Sequence, residues 1–426
     1  MRKKHFLFAS VLALLCGSST LHAQDFKLTS SGYFKNQGVD VMAFDDIYPE
    51  GHQGGVCIIM NGHRVATNGD IRLEATPGQW QPVPKQLDRK LGDNSITATL
   101  CYPDSSRHLT GFNPMIYPDL HLIYTVNVES KGKNIEVTVD LDRPIPQEFI
   151  GKVGFNLEFF PGSLFGKPWI MDGQSGIFPQ QPNSPLMTTQ PNYLHTGNYH
   201  DGKKSLADMD KLIGKGYSPI VADDIISEPY AKGTKFTSRP DDPYNKVTIE
   251  SLSGDLQLFD GRMNHNNGWF VLRSNIKPGV TKGAVKWIIT PNVVADWMYQ
   301  PVIQTSQIGY HPTQDKEAVI EMDIRDNRKE TAQIIRIDAD GEKVVKNVTP
   351  ANWGKFLRYN YLKVNFTDVK EPGLYKIKYN TSVSPIFRID NDVYARGVWQ
   401  PVLEYFLPVQ MCHMRVNEKY RVWHDC

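Results

Sequence analysis

Four residues near the C-terminus, Cys412, His413, His424 and Cys426, are of the types that hold zinc, which takes thiolate and imidazole ligands in near-tetrahedral geometry. The same residues read equally as a Cys412–Cys426 disulfide or as two buried thiols, with the histidines hydrogen bonding on a helix surface or between domains. Acidic pairs at Asp45-Asp46, Asp223-Asp224 and Asp241-Asp242 have the composition of a catalytic dyad or a calcium site, and equally that of solvated turns and caps. Asp45-Asp46 lies between Ala43 and Gly55, where aromatic and amide neighbours suit sugar hydroxyls. A third group comes from the stretch 161–218, crowded with Gly, Pro, Asn and Gln, which carries Trp169, Phe178, Tyr193, Tyr199 and His200. An aromatic face stacks on the C–H side of a pyranose while Asn, Gln and Asp read its hydroxyls, so Trp169, Tyr193 and Tyr199 are the candidate glycan-binding residues. The competing reading folds these aromatics onto their own domain.

The elements that must position these groups are strands. The chain has 426 residues with 33 Gly, 28 Pro and 11% aromatics, and no long stretch of helical period, which excludes a bundle, a coiled coil and a disordered chain. Its length calls for two or three domains. Gly55 to Met60 runs into Asn61-Gly62, a hairpin signal. Leu120–Val128 and Asn134–Leu141 form a second pair, in which Ile135, Val137, Val139 and Leu141 alternate with polar residues as in an antiparallel sheet with one wet face. Further strands are expected at Val153–Phe160, Lys246–Leu252, Leu256–Phe259, Trp269–Arg273 and Val285–Ile289. The fold class is therefore mainly β, with a large N-terminal β-sandwich over residues 24–301. Residues 302–390 hold shorter strands at the spacing of an immunoglobulin-like sandwich, with turns at Asp340-Gly341 and Pro372-Gly373. From 391 to 426 the texture turns helical: Val398, Trp399, Val402, Leu403, Phe406 and Val409 recur at helical spacing, and Pro408 should end the helix. A helix face with no partner helices after it predicts that the chain stops at the start of a larger all-α module.

Lys and Arg total 47 against 46 Asp and Glu, a net +1 with no field to recruit nucleic acid. Arg2, Lys3 and Lys4, the apolar run Phe6–Cys16 and Leu21-His22-Ala23 form the pattern of a secretory signal peptide over residues 1–23, cleaved to leave Gln24 first. Losing those three basic residues and no acidic one takes the net charge from +1 to −2. The apolar run is too short to span a bilayer and nothing later approaches that length, so no membrane insertion is expected and the protein should be periplasmic or extracellular. Cys57 and Cys101, in apolar strand-like surroundings, read as a bridge or as two buried thiols.

Gln304 to Pro312 (Gln-Thr-Ser-Gln-Ile-Gly-Tyr-His-Pro), Lys316 to Val319, Pro372 to Tyr375 and Ser384 to Ile389, in that order, resemble the N-terminal immunoglobulin-like domain of family 9 glycoside hydrolases, the cellulase and endoglucanase family. Val393-Tyr394 and the helix to Cys412 resemble the linker and first helix of that family's (α/α)6 barrel, so that the similarity covers Val302 to Cys426. It implies a secreted enzyme that cuts internal β-1,4-glucosidic bonds of cellulose-like or xyloglucan-like polysaccharide with inversion, one carboxylate activating water and one carboxylic acid protonating the leaving oxygen. The family's catalytic motifs map onto no residue here, so no catalytic residue is assigned. Some relatives carry a structural zinc near the start of the barrel, and Cys412 and Cys426 match its two cysteines by position, the remaining ligands being expected beyond Cys426. Within the sandwich, the hairpin followed by Gly154-Phe155-Asn156-Leu157-Glu158-Phe159 resembles the supersandwich of galactose-mutarotase-like domains. In purely structural terms, Gly309 should admit close backbone approach, Tyr310 should pack at the domain edge, and Tyr375 should make a corner hydrogen bond. The alternative to a hydrolase portion is a non-catalytic glycan-binding or spacer protein.

Overall fold

The structure, a computed structural model, describes residues 25–45, 54–74, 76–77, 84–102, 120–182, 227–263, 268–395, 398–404, 415–416 and 420–421. Eighteen strands among them build the first body: β1 (Lys27–Leu28), β2 (Phe34–Asn36), β3 (Val39–Ala43), β4 (Val56–Met60), β5 (His63–Leu73), β6 (Lys85–Leu91), β7 (Ser95–Cys101), β8 (Ile123–Lys131), β9 (Asn134–Leu141), β10 (Val153–Phe159), β11 (Pro168–Met171), β12 (Gln174–Ile177), β13 (Ala231–Gly233), β14 (Lys235–Ser238), β15 (Val247–Ser251), β16 (Leu256–Asp260), β17 (Phe270–Asn275) and β18 (Val285–Pro291). They form two nine-stranded sheets, ordered β1-β2-β3-β4-β5-β10-β17-β16-β13 and β12-β11-β14-β15-β18-β9-β8-β7-β6. The Asn61-Gly62 turn joins β4 to β5 with both residues at positive φ, the geometry that a two-residue hairpin loop prefers. In the second sheet β8 and β9 pair with Val126 opposite Val139 and Val128 opposite Val137, and these side chains are buried while their polar neighbours are half-exposed. One core from Phe26 to Ile289 fills the space between the sheets. Across it Trp287 of β18 meets Phe155 of β10 edge to face at 5.0 Å, and its indole N–H donates to Ser274 Oγ of β17 at 3.0 Å.

A second core, from Ile303 to Ile389, belongs to a smaller sandwich. Its strands are β19 (Val302–Gln304), β20 (Glu317–Asp323), β21 (Ala332–Asp338), β22 (Gly341–Val348), β23 (Ala351–Phe356), β24 (Tyr359–Asn365), β25 (Gly373–Tyr379), β26 (Ser382–Val383) and β27 (Phe387–Ile389). One sheet is β19-β20-β24-β23, the other β22-β21-β25-β26 with β27 also on β25. Gly309, at φ 104°, lies so close to the Arg388 carbonyl oxygen that a Cβ would collide with it, and this approach lets Tyr310 N–H donate to that oxygen at 2.8 Å. Tyr310 is buried in the core rather than at an edge: its ring meets Phe366 at 5.1 Å and Phe387 at 5.3 Å, and its hydroxyl donates to the Glu317 carbonyl. Tyr375 makes the expected corner bond, donating to the Glu371 carbonyl at 2.8 Å. Residues 400–404 are helical, and a two-stranded hairpin pairs β28 (Arg415–Val416) with β29 (Tyr420–Arg421). Among the described residues, no helix is long and apolar enough to cross a membrane.

Candidate functional site

Of the side chains singled out in the sequence, Trp169 sits on β11 as part of the first core, 6% exposed, with its ring packed over Gly176 of β12. In this position it offers no open face for a sugar. Phe178 is fully buried against Phe270 at 4.7 Å. Tyr193, Tyr199, His200, Asp46, Asp223, Asp224, Cys412, His413, His424 and Cys426 lie outside the described residues. Asp45 is 3.8 Å from Arg89. Asp242 closes a turn, accepting from the Tyr244 N–H and the Asn245 side chain and pairing with Arg239; the hydrogen bonds of Asn245 and Tyr244 hold its carboxyl below the usual range against some burial. Asp242 is thus a turn cap. Cys57 on β4 and Cys101 on β7 stand on different sheets and are not joined as a disulfide.

The structure assembles a charge cluster that the sequence reading did not single out. On β10 the side chains of Phe155, Leu157 and Phe159 enter the core, so strand alternation turns Gly154, Asn156 and Glu158 away from it. The register places Asp70 of β5 and Arg273 of β17 opposite Asn156, and Arg72 opposite Gly154. All are buried: Asp70 1%, Arg72 7%, Glu74 1%, Asn156 0%, Glu158 4% and Arg273 1% exposed. The Arg273 guanidinium spends its donors on five bonds: Nε to Asn275 Oδ1 at 2.7 Å, one nitrogen to Glu74 Oε1 at 3.2 Å and Asn156 Oδ1 at 3.1 Å, the other to the Glu74 and Lys152 carbonyls at 3.0 Å each. Gly154 is what makes room, since a Cβ there would stand 2.8 Å from Arg273 Nε. This is a clamp tying three strands together, a structural use of a carboxylate and an arginine.

Burial raises the Glu74 carboxyl to about 7 against the opposing pull of Arg273, and raises Asp70 to about 6 against Arg72, the Ile71 N–H and the Tyr124 hydroxyl. Tyr124 reaches from the second sheet to donate to Asp70 Oδ1 at 3.0 Å. Asn68 donates to Glu158 Oε2 at 2.5 Å. Arg72 lies between the charges of Glu158 and Asp70, and its Nε has no hydrogen-bond partner among the described residues. Chemically the cluster can hold a proton near neutrality at Asp70 and Glu74, yet Glu74 is committed to the clamp and Asp70 to Tyr124.

An open site lies where the two sandwiches meet. A cleft of about 190 Å³ is lined by Asn36, Gln37, Asp40, Trp297, Tyr299, Arg325, Arg358 and Tyr359 among others. Residues 293–301 lead from the first core into the second, and the Trp297 ring packs on Gly38, where a Cβ would come within 2.8 Å of it. Gln37 Nε2 donates to the Trp297 carbonyl at 2.8 Å, and Arg325 donates to the same oxygen. Tyr299 is tied to β20 by its N–H to Asp323 Oδ2 and its hydroxyl to Glu321 Oε1 at 2.9 Å. Across the cleft Arg358 faces Asp40 at 3.4 Å; burial raises the Asp40 carboxyl in spite of Arg358 and Lys35. Aromatic rings beside hydroxyl-reading carboxylate, amide and guanidinium groups are the components of a sugar-binding cleft. The signal for it was present in the sequence as Trp297, Tyr299 and Tyr359, but nothing local joins residues near 37 to those near 358.

Comparison with known proteins bears on the second sandwich. No curated protein matches the chain. Among solved structures, the crystal structure of the Slr1438 protein from Synechocystis sp. PCC 6803 aligns with 68% of this chain and 100% of that chain, at 10% identity and a TM-score of 0.29. Residues 298–384 match the family described as the cellulase N-terminal ig-like domain, which covers the linker from Met298 and strands β19 to β26. The small sandwich is thus a cellulase-type immunoglobulin-like domain.

Proposed function

We propose that this chain serves polysaccharide degradation as a β-rich portion of an exported glycoside hydrolase resembling the family 9 endo-β-1,4-glucanases, and that its described residues hold a β-glucan-type polysaccharide. The observation that carries the reading is the match of residues 298–384 to the cellulase N-terminal ig-like domain. The interdomain cleft supports it, because its rings and polar groups suit a sugar better than an apolar or polyanionic ligand. A holding role rather than bond cleavage suits these residues: inverting hydrolysis needs two carboxyl groups flanking a sugar with a water between, and Glu74 and Asp70 are engaged by Arg273 and Tyr124.

Affinity electrophoresis of the whole chain through gels containing hydroxyethylcellulose, xyloglucan, mixed-linkage glucan or, as controls, starch and polygalacturonate tests this. Retardation confined to one or more β-glucans is expected. Unchanged migration in every gel overturns the reading.

A further inference from the structure

We propose that the solvent face of the β19-β20-β24-β23 sheet, running from Trp353 through Tyr361 and Tyr359 to Tyr299, binds a neutral β-linked glucan chain along a row of aromatic rings. The inference rests on the polysaccharide reading above and adds the place and the charge class of the ligand.

The wet face of an antiparallel sheet is ordinarily polar. The opposite sheet of this domain mixes charged and aliphatic groups, with Lys376 paired to Glu342 and Lys346 of β22 paired to Asp368 beside exposed Val344, Val345 and Leu374. On the β19-β20-β24-β23 sheet the large exposed apolar groups include the aromatic rings of Trp353 and Phe356. Leu362 and Val364 of β24 enter the core, so Tyr359 and Tyr361 face outward, opposite Asp323 and Glu321 of β20. The register of β23 against β24 shifts between Asn352 and Gly354, and the extra residue at this bulge is Trp353, 56% exposed. Bulges re-aim side chains in this way. Gly354, at φ 126°, supplies a backbone conformation that other residues rarely adopt. Phe356, 57% exposed, completes the near end.

The rings make a continuous series in which neighbours meet at an angle rather than lying flat in one plane. Trp353 to Tyr361 is 5.6 Å between centroids at 88°, Tyr361 to Tyr359 6.1 Å at 70°, Tyr359 to Tyr299 5.1 Å at 50° and Tyr299 to Trp297 6.5 Å at 66°, so each ring offers its own face or edge to a separate sugar unit. A shallow hollow of about 230 Å³ lies over Val319, Trp353, Phe356, Tyr361 and Lys363 at one end, and the interdomain cleft lies at the other. Between them Glu321 accepts from Tyr299 at 2.9 Å and from Tyr361 at 3.3 Å, which fixes both rings in place before any ligand arrives.

The charges on this face decide the ligand class. Lys363 is paired with Glu317 at 2.8 Å, and Glu321 is held by the two tyrosines. A polyuronate would need unpaired cations along the row, whereas a neutral glucan needs ring faces for its C–H groups and polar rims for its hydroxyls, here Glu321 and, in the cleft, Asp40, Arg358 and Gln37.

The test is calorimetric titration of the whole chain with cellohexaose, with a galacturonate hexamer as the charged control. Trp353→Ala/Tyr361→Ala should bind cellohexaose about tenfold or more weaker, as expected when exposed aromatic anchors are truncated. Tyr361→Phe keeps the ring and should retain most of the affinity, and raising NaCl should change neither result. Trp353 is more than half exposed, so the double variant is checked for an unchanged unfolding midpoint. Cellohexaose affinity within about twofold of wild type in a folded double variant overturns the location while the polysaccharide reading stands. Tighter binding of the galacturonate than of cellohexaose overturns the neutral-glucan assignment. If wild type self-associates in sedimentation and the double variant becomes monomeric with cellohexaose affinity intact, the face is a contact between copies of the chain and the proposal fails.

Discussion

Replacing Arg273 by Met keeps most of the side-chain length while removing the charge and every hydrogen bond of the clamp. The consequence can be worked from its partners. The substitution leaves the Glu74 and Lys152 carbonyl oxygens without these donors inside the protein and strips the nearest cation from a carboxyl that is 2% exposed. Breaking a buried ion pair from one side costs about 3–5 kcal/mol, because the remaining carboxyl must either stay charged without compensation or, with a folded value already near 7, take up a proton. Part of that cost should return when the charge is removed as well, so Arg273→Met/Glu74→Gln should be more stable than Arg273→Met alone by roughly 1–2 kcal/mol. The assay is urea unfolding followed by circular dichroism at neutral pH, in which the transition of the first sandwich is separated from that of the immunoglobulin-like domain by comparing variants of each. An Arg273→Met cost below about 1 kcal/mol, or a double variant no better than the single, refutes the claim that this guanidinium holds β5, β10 and β17 together.

Other predictions follow from the same geometry. Glu74 and Asp70 have folded values near 7 and 6, above their ordinary 4.5 and 3.8, so the folded state keeps protons that the unfolded chain releases between about pH 4 and 7. Stability of the first sandwich should therefore fall as pH rises through that window, by roughly 3 kcal/mol at most for each group, and Glu74→Gln should flatten the profile of unfolding midpoint against pH. Gly309→Ala places a Cβ on the Arg388 carbonyl at a positive φ and should cost the immunoglobulin-like domain about 2 kcal/mol or more by thermal unfolding, with the first sandwich unchanged. Dithiothreitol should leave the first sandwich's unfolding midpoint where it is, because Cys57 and Cys101 stand on different sheets and are not bridged to each other. Arg358→Ala removes a half-exposed partner of Asp40 and should change stability by less than about 1 kcal/mol.

The hairpin at Asn61-Gly62 and the alternation from Asn134 to Leu141 were legible because turn chemistry and a period of two are local properties. The Gln304–Pro312 and Pro372–Tyr375 segments were legible for a similar reason, since Gly309 and Tyr375 each do a task that few other residues could do. The charge cluster was not. Gly154 to Phe159 alternates as if one face were wet, and a strand cannot show from its own residues that both its faces are covered; that depends on segments far away in the chain. Trp169 misled for the converse reason: a tryptophan in a Gly- and Pro-rich stretch resembles a sugar platform, but the short strand β11 turns it onto Gly176 and into the core. Strand β23, with Trp353, is hard to read from the sequence because its bulge breaks the alternation across Asn352-Trp353-Gly354. The clue left in sequence was β24 itself, where Tyr359 and Tyr361 interleave with Asn360, Leu362 and Val364, giving a strand apolar on both faces.

The most direct test of the central claim, that this chain holds a β-glucan, is titration of the unmodified protein with a soluble β-1,4-glucan oligosaccharide in a calorimeter. Saturable binding of cellohexaose, insensitive to salt and absent with an α-glucan of equal length, is the predicted result. A titration that gives only heats of dilution with cellohexaose and with xyloglucan oligosaccharides would contradict it.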